Sequence, residues 1–261
     1  PHWREAPPAR CFGDLYRSNP ARGREAVSLN TQLIAAELND LGINVDCAPL
    51  IDLPVPGAHD IIGDRAFAED VATVSVLGRQ QAEEFMAHGV LPIIKHIPGH
   101  GRALADSHME LPRVQASAAE LHETDFAPFT ALSDMPMAMT AHVIFEALDA
   151  VEPATTSAVI IEELIRGRMR FDGLLMSDDL SMKALAGDFV SRTERVLRAG
   201  CDVVLHCNGE MAEMDAIAAA CPRISDAALR RWEAAWARRK EPVAFDRSAA
   251  CERLDQLLGG H

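Results

Sequence analysis

Short, continuous apolar runs alternate along this chain with longer segments that are apolar on one face only. Residues 24–41 place Val27, Ile34, Leu38 and Leu41 at helical spacing, and Gly42 ends that helix. An apolar run over 43–48 follows. Residues 69–88 repeat the helical pattern as far as Gly89, and Val90-Leu91-Pro92-Ile93-Ile94-Lys95 then reads as a buried strand. A helical stretch from Ser117 leads to a third run, 137–142. Helical residues 157–169 lead to a fourth, Gly173-Leu174-Leu175-Met176, and a fifth, 202–206, follows Gly200. From about residue 210 the chain is Ala- and Arg-rich helix without a clear strand.

Four of these five strands follow a glycine: Gly42, Gly89, Gly173 and Gly200. Glycine there suits the left-handed cap that stops a helix and turns the chain back into a sheet. Continuous apolar strands alternating with amphipathic helices predict an α/β fold, a parallel sheet covered by helices. The polar residues of interest fall at the ends of these strands. Lys95 and His96 end the second, His142 the third, Ser177, Asp178 and Asp179 the fourth, and Asn208 follows the fifth. In an α/β barrel that edge is the active face. A doubly wound sheet uses the same edge for a nucleotide, but neither common Gly-rich phosphate loop is present in the sequence.

Composition narrows the picture. The chain has 261 residues, 48% hydrophobic and 25% charged, which suits one domain over 1–261 of about the size of an α/β barrel. Its formal net charge of -14 is spread along the chain and argues against a nucleic-acid partner. No apolar run approaches the length of a membrane span, and the N-terminus has no signal-peptide pattern. The six cysteines show no zinc-ribbon or CxxC spacing, so buried free thiols in a reducing, cytoplasmic setting are expected.

The densest chemistry is Lys95-His96-Ile97-Pro98-Gly99-His100-Gly101, followed by Asp106-Ser107-His108. In an extended segment, residues two apart project to the same side. The Asp106 carboxylate can then hold the His108 imidazole, fix its tautomer and raise its basicity. Such an imidazole gives and takes a proton near neutral pH. Ser107 would project away from both, which disfavours a serine triad. The second constellation is Ser177-Asp178-Asp179-Leu180-Ser181-Met182. Two adjacent carboxylates after a buried strand are costly unless paired or used, so one suits a cap and the other a nucleophile. The spacings His96-x₃-His100 and Asp106-x-His108 also resemble metal-ligand spacing, which keeps a metal-dependent hydrolase open as an alternative. Lys95 beside them works against a bound cation.

These motifs resemble glycoside hydrolase family 3, in its bacterial β-N-acetylhexosaminidase (β-N-acetylglucosaminidase) branch. Gly63-Asp64-Arg65-Ala66-Phe67 and Thr140-Ala141-His142-Val143 match two further segments of that branch, and the resemblance covers roughly residues 1–215. It implies a (β/α)8 TIM-barrel fold and a retaining exo-β-N-acetylglucosaminidase that needs no cofactor and no metal. Asp178 would be the nucleophile, His108 the acid/base and Asp106 its orienting partner, while Arg65, Lys95 and His96 would bind the sugar. Asp179 would stabilise the loop. The substrate would be N-acetylglucosamine-containing muropeptide fragments, in cytoplasmic peptidoglycan recycling, with a monomeric enzyme and no membrane or nucleic-acid partner.

The branch also carries an Asp-Gln-Glu-Gly-Gly-Arg-type segment that this sequence lacks, and Pro1-His2-Trp3-Arg4 resembles the stretch just after it. The barrel is therefore expected to lack its N-terminal strand or strands here and to expose apolar edges. A longer expressed protein is expected; a true truncation with impaired activity is the alternative. A phosphorylase of the same family and a non-catalytic sugar-binding protein are the other readings left open.

Overall fold

The computed structural model describes residues 4–57, 60–103, 107 and 110–259. Two helices open it, α1 (Ala9–Ser18) and α2 (Pro20–Asp40). Asn19 separates them: its side chain accepts from the Arg22 N–H (3.2 Å), and Pro20 occupies the first helical position, where no N–H is needed. The first strand, β1 (Val45–Asp46), is followed by α3 (Val71–Ala87), capped by the Asp70 carboxylate. Next come β2 (Leu91–Pro92), β3 (Ile94–Ile97) and a short β4 (Arg113–Val114).

The helix expected from Ser117 is two, α4 (Ala118–Glu123) and α5 (Ala127–Ala131), with Pro128 in the first turn of the second. Then follow β5 (Met137–Thr140), β6 (Ile144–Phe145) and a helix over Ile160–Arg168 with π-type hydrogen bonding. The chain ends with β7 (Leu174–Asp179), α6 (Phe189–Ala199), β8 (Val203–Leu205), α7 (Met211–Ala220), α8 (Asp226–Trp236) and α9 (Arg247–Leu258).

Every strand pairing is parallel. β1 pairs with β2, and the ladder continues past the formal strands: Ile51 N–H donates to the Lys95 carbonyl (2.9 Å) and Lys95 N–H to the Pro49 carbonyl (3.1 Å). β3 pairs with β5, β5 with β7, and β7 with β8. The five main runs therefore lie side by side in chain order. A doubly wound sheet reverses direction at a switch point, whereas a barrel adds its strands in sequence. The architecture is that of a (β/α)8-type barrel, of which the described residues supply five strand runs.

Alternation along the strands sorts side chains to two faces. Ile94, Ala138, Leu175 and Val204 join the large core beneath the helices. Leu91, Ile93, Met137, Met139 and Leu174 form the inner cluster. The inner face is covered. Ala228, Trp232 and Ala235 of α8 pack directly onto it.

Two further expectations are corrected. Gly42, Gly89 and Gly200 do have positive φ, but Gly173 does not; the left-handed residue before β7 is Arg170 (φ 60). Gly173 serves a close approach instead, since a Cβ there would lie 2.6 Å from the Met135 and Pro136 carbonyl oxygens. The six cysteines are all free, but only Cys201 is buried, while Cys207 and Cys221 are exposed.

At the strand N-termini, Asp202 accepts from Arg166, Arg231 and the Leu175 N–H. This network ties the starts of β7 and β8 together at the end away from the polar loops. The opposite end, where the strands terminate, carries the chemistry.

Candidate active site

Asp178 and Asp179 are the last two residues of β7 rather than following it. The two carboxylates do different work. Asp179 accepts from Ser181 N–H (3.0 Å), from Cys207 N–H (3.1 Å) and from the Ser181 hydroxyl. It thereby stitches the loop after β7 to the end of β8. Its carbonyl accepts from His142 Nε2 (3.1 Å), and His142 Nδ1 lies 2.7 Å from the Thr155 hydroxyl oxygen. His142 is fully buried, and burial depresses its pKa.

Asp178 keeps one oxygen for the pocket. Its Oδ1 accepts from Asp179 N–H (2.8 Å), while Oδ2 faces His96 Nε2 at 3.9 Å. That distance is too long for a hydrogen bond, and a ligand atom in the pocket could contact both groups. Burial pushes the Asp178 carboxyl up, but His96, His142 and the Asp179 N–H together outweigh it. The net shift is downward, so the group is ionised and poised to act as a nucleophile or as an electrostatic anchor.

Asp52 stands behind His96. It follows the first strand run and is completely buried (0% exposed). Its Oδ2 contacts His96 Nδ1 (2.7 Å), and its Oδ1 accepts from His100 N–H (2.7 Å) and His96 N–H (3.2 Å). Burial opposes its ionisation, yet His96 and His100 bring its pKa below the ordinary value. The sequence reading passed over Asp52. The available signal was its place immediately after the apolar run Pro49-Leu50-Ile51, at a strand C-terminus like Lys95, His142 and Asp178.

The Ser107 hydroxyl oxygen lies 3.0 Å from His100 Nε2, and its carbonyl accepts from Ala184 N–H (3.3 Å). Asp106 and His108, on either side of it, lie outside the described residues.

These groups meet in one pocket of about 230 Å³. Arg65, Lys95, His96, His100, Ser107 and Asp178 supply its polar lining, and Cys47, Ile61, Ile62, Met139, Leu205 and Cys207 its walls. Arg65 is placed by a 3-10 turn over Gly63–Arg65 and donates to the Ile61 carbonyl (3.0 Å). The pocket is smaller than the about 300–1,000 Å³ common for drug-sized ligands, so it suits a single ring. It combines cationic donors with a carboxylate and imidazoles, a mix that suits a polyhydroxylated ligand. Among the described residues, no group of three or more His, Cys, Asp or Glu side chains is placed to hold a metal ion, and no helix is long and apolar enough to cross a membrane.

The sequence matches the model of the glycosyl hydrolase family 3 N-terminal domain over residues 5–231. The chain belongs to this family. It is 36% identical over 231 residues to a protein named β-hexosaminidase from Bordetella pertussis, covering 86% of this chain and 65% of that one. A β-hexosaminidase from Thiobacillus denitrificans is 35% identical over 234 residues, covering 88% of this chain and 61% of the relative. The chain thus spans roughly three-fifths of the length of these curated relatives. Among solved structures, NagZ from Neisseria gonorrhoeae in complex with N-trifluoroacetyl-D-glucosamine superposes with a TM-score of 0.85 at 26% identity, over 97% of this chain and 76% of that one. A family 3 β-N-acetylglucosaminidase from Paenibacillus gives 0.82 at 29% identity, over 97% and 51%.

The family 3 pocket carries a pH signature of its own. Burial, and then the neighbouring His96, lower the His100 pKa to about 4. The unfolded chain binds a proton at His100 near pH 6.5, so between about 6.5 and 4 it holds more protons than the fold. Stability therefore falls as pH drops through that window, by up to about 3 kcal/mol from this residue. In urea titrations, His100→Gln should flatten part of the fall. An unchanged pH slope between 6.5 and 4 would show that His100 does not carry it.

Proposed function

We propose that this chain forms the catalytic domain of a retaining exo-β-N-acetylglucosaminidase. The observation that carries this reading is the position of the Asp178 carboxylate, facing His96 in a one-ring pocket at the strand C-termini of a family 3 barrel. In the first step Asp178 attacks the anomeric carbon from the face opposite the leaving group, and the glycosidic C–O bond breaks. His108, oriented by Asp106, donates its proton to the departing oxygen. In the second step His108 takes a proton from water, which attacks the glycosyl-enzyme and frees Asp178. Two displacements at one carbon retain its configuration. Most retaining glycosidases use a second carboxylic acid for the proton transfers; an Asp–His pair does the same work with an imidazole suited to neutral pH.

Arg65, Lys95 and His96 hold the sugar through its hydroxyl and acetamide oxygens. The substrate is the terminal β-linked N-acetylglucosamine of muropeptide fragments, met in the cytoplasm during peptidoglycan recycling. No metal or cofactor enters any step, and the enzyme acts as a monomer. The names of the relatives and of the solved neighbours support the sugar class.

The test is turnover of an aryl β-N-acetylglucosaminide by the longest natural form of the protein, with the products followed by NMR. The β-anomer of free N-acetylglucosamine should appear first, at a rate independent of phosphate. An α-anomer appearing first, or binding without turnover, would overturn the reading. Sugar 1-phosphate formed only with phosphate present would make the enzyme a phosphorylase, an acceptor that an imidazole acid/base repels less than a carboxylate does.

A further inference from the structure

Asp52 is the one carboxylate of this region that the proposed mechanism leaves without a task. It is fully buried, and each of its oxygens is committed to the His96–His100 segment (2.7 Å to His96 Nδ1, 2.7 Å to His100 N–H). A carboxylate only accepts, so His96 Nδ1 must carry the hydrogen. In a neutral imidazole the other nitrogen then holds a bare lone pair. That nitrogen, Nε2, is the one that faces the Asp178 carboxylate at 3.9 Å and lines the pocket.

We propose that Asp52 is a positioning residue that locks His96 in the Nδ1–H tautomer, so that His96 meets the sugar as a hydrogen-bond acceptor. This rests on the reading of His96 as a sugar contact. The corner formed by His96 and Asp178 then presents two acceptors side by side. It recognises an edge of the ligand that offers hydroxyl or amide hydrogens, while Lys95 and Arg65, which line the same pocket, supply donors. A sugar presents both kinds of edge; an anionic ligand such as phosphate is repelled from this corner by the Asp178 carboxylate.

The informative variant is Asp52→Asn, which keeps the size and leaves one oxygen. That oxygen must stay on the His100 side, because the reverse orientation would set the amide NH₂ against the His100 N–H. The NH₂ group then faces His96 Nδ1 and donates to it, which transfers the ring hydrogen to Nε2. The pocket-facing atom changes from acceptor to donor.

Nitrogen-15 NMR of the histidine-labelled full-length protein, with His96 assigned by its loss in His96→Gln, reads the tautomer without any activity. The wild type should show Nδ1–H and Asp52→Asn should show Nε2–H. Kinetics with an aryl β-N-acetylglucosaminide should show KM raised on the order of 10–100-fold, by analogy with the loss on removing an outer hydrogen-bond partner of a metal-bound histidine, with a smaller change in kcat. A wild-type Nε2–H form, a wild-type ring protonated on both nitrogens at neutral pH, a variant that keeps the wild-type tautomer, or a variant with unchanged KM and only a lower melting temperature would each overturn the proposal. A wild type with the Nδ1–H form and no glycosidase activity would instead remove the proposed function and leave the tautomer assignment standing.

Discussion

Asp178→Ala is expected to lower kcat/KM for an aryl β-N-acetylglucosaminide by on the order of 10⁴-fold or more, the scale reached when a covalent nucleophile is deleted. The protein itself should remain folded. Asp178 accepts one local hydrogen bond, from the N–H of the next residue, and the backbone of β7 around it is held by Asp179 and by Ser177, whose hydroxyl accepts from Leu205 N–H (3.0 Å). Removing the carboxylate also removes the cost of burying it, which is the largest influence acting on it. Asp178→Asn separates charge from shape: it fills the same space and should be nearly as inactive.

The downward shift of the Asp178 carboxyl has a further consequence. The nucleophile stays ionised down to and below the ordinary Asp value near 3.9, so any loss of kcat/KM above that pH belongs to another group. Azide added to Asp178→Ala should restore turnover by attacking from the vacated side, and the product should be the α-glycosyl azide. Activity within about tenfold of wild type, or a β-azide product, would move the nucleophile elsewhere.

The strand–helix alternation was readable because its signals are local. Each of the five strands is a short apolar run, and Gly42, Gly89 and Gly200 mark helix ends within a few residues of them. Lys95, His96 and Asp178 were readable for the same reason, since polar side chains at the ends of buried strands stand out against their neighbours. Asp52 stands in an equivalent place, but its meaning depends on His96, 44 residues further along and on the adjacent strand. A lone Asp after an apolar run carries no sign of that partner.

The same limit explains α8. Its Ala- and Arg-rich composition predicts a helix, but nothing local says that Ala228, Trp232 and Ala235 will cover the inner faces of β2, β5 and β7. The contacts of Ser107 are equally beyond local reading. Its carbonyl and hydroxyl are set by Ala184 and His100, on two other segments.

His108→Ala is expected to lower kcat/KM by about 10²–10⁴-fold, the range for general acid–base catalysis, and the loss should depend on the leaving group. An acid is needed only where the departing oxygen is basic. For an alkyl or sugar leaving group the full loss should appear. For a dinitrophenolate, which leaves without a proton, the first displacement should proceed at close to the wild-type rate. The second displacement still needs a base to activate water, so the glycosyl-enzyme should accumulate and give a burst of phenolate followed by slow turnover. Free azide, which needs no base, should relieve that block and yield the β-glycosyl azide. Asp106→Asn should follow the same pattern more weakly if Asp106 acts only by holding the imidazole. A uniform loss across leaving groups, with no burst, would mean that His108 binds substrate rather than moving the proton. The α-azide expected from Asp178→Ala and the β-azide expected from His108→Ala come from opposite faces of one carbon, so the pair assigns nucleophile and acid/base without relying on the size of either loss.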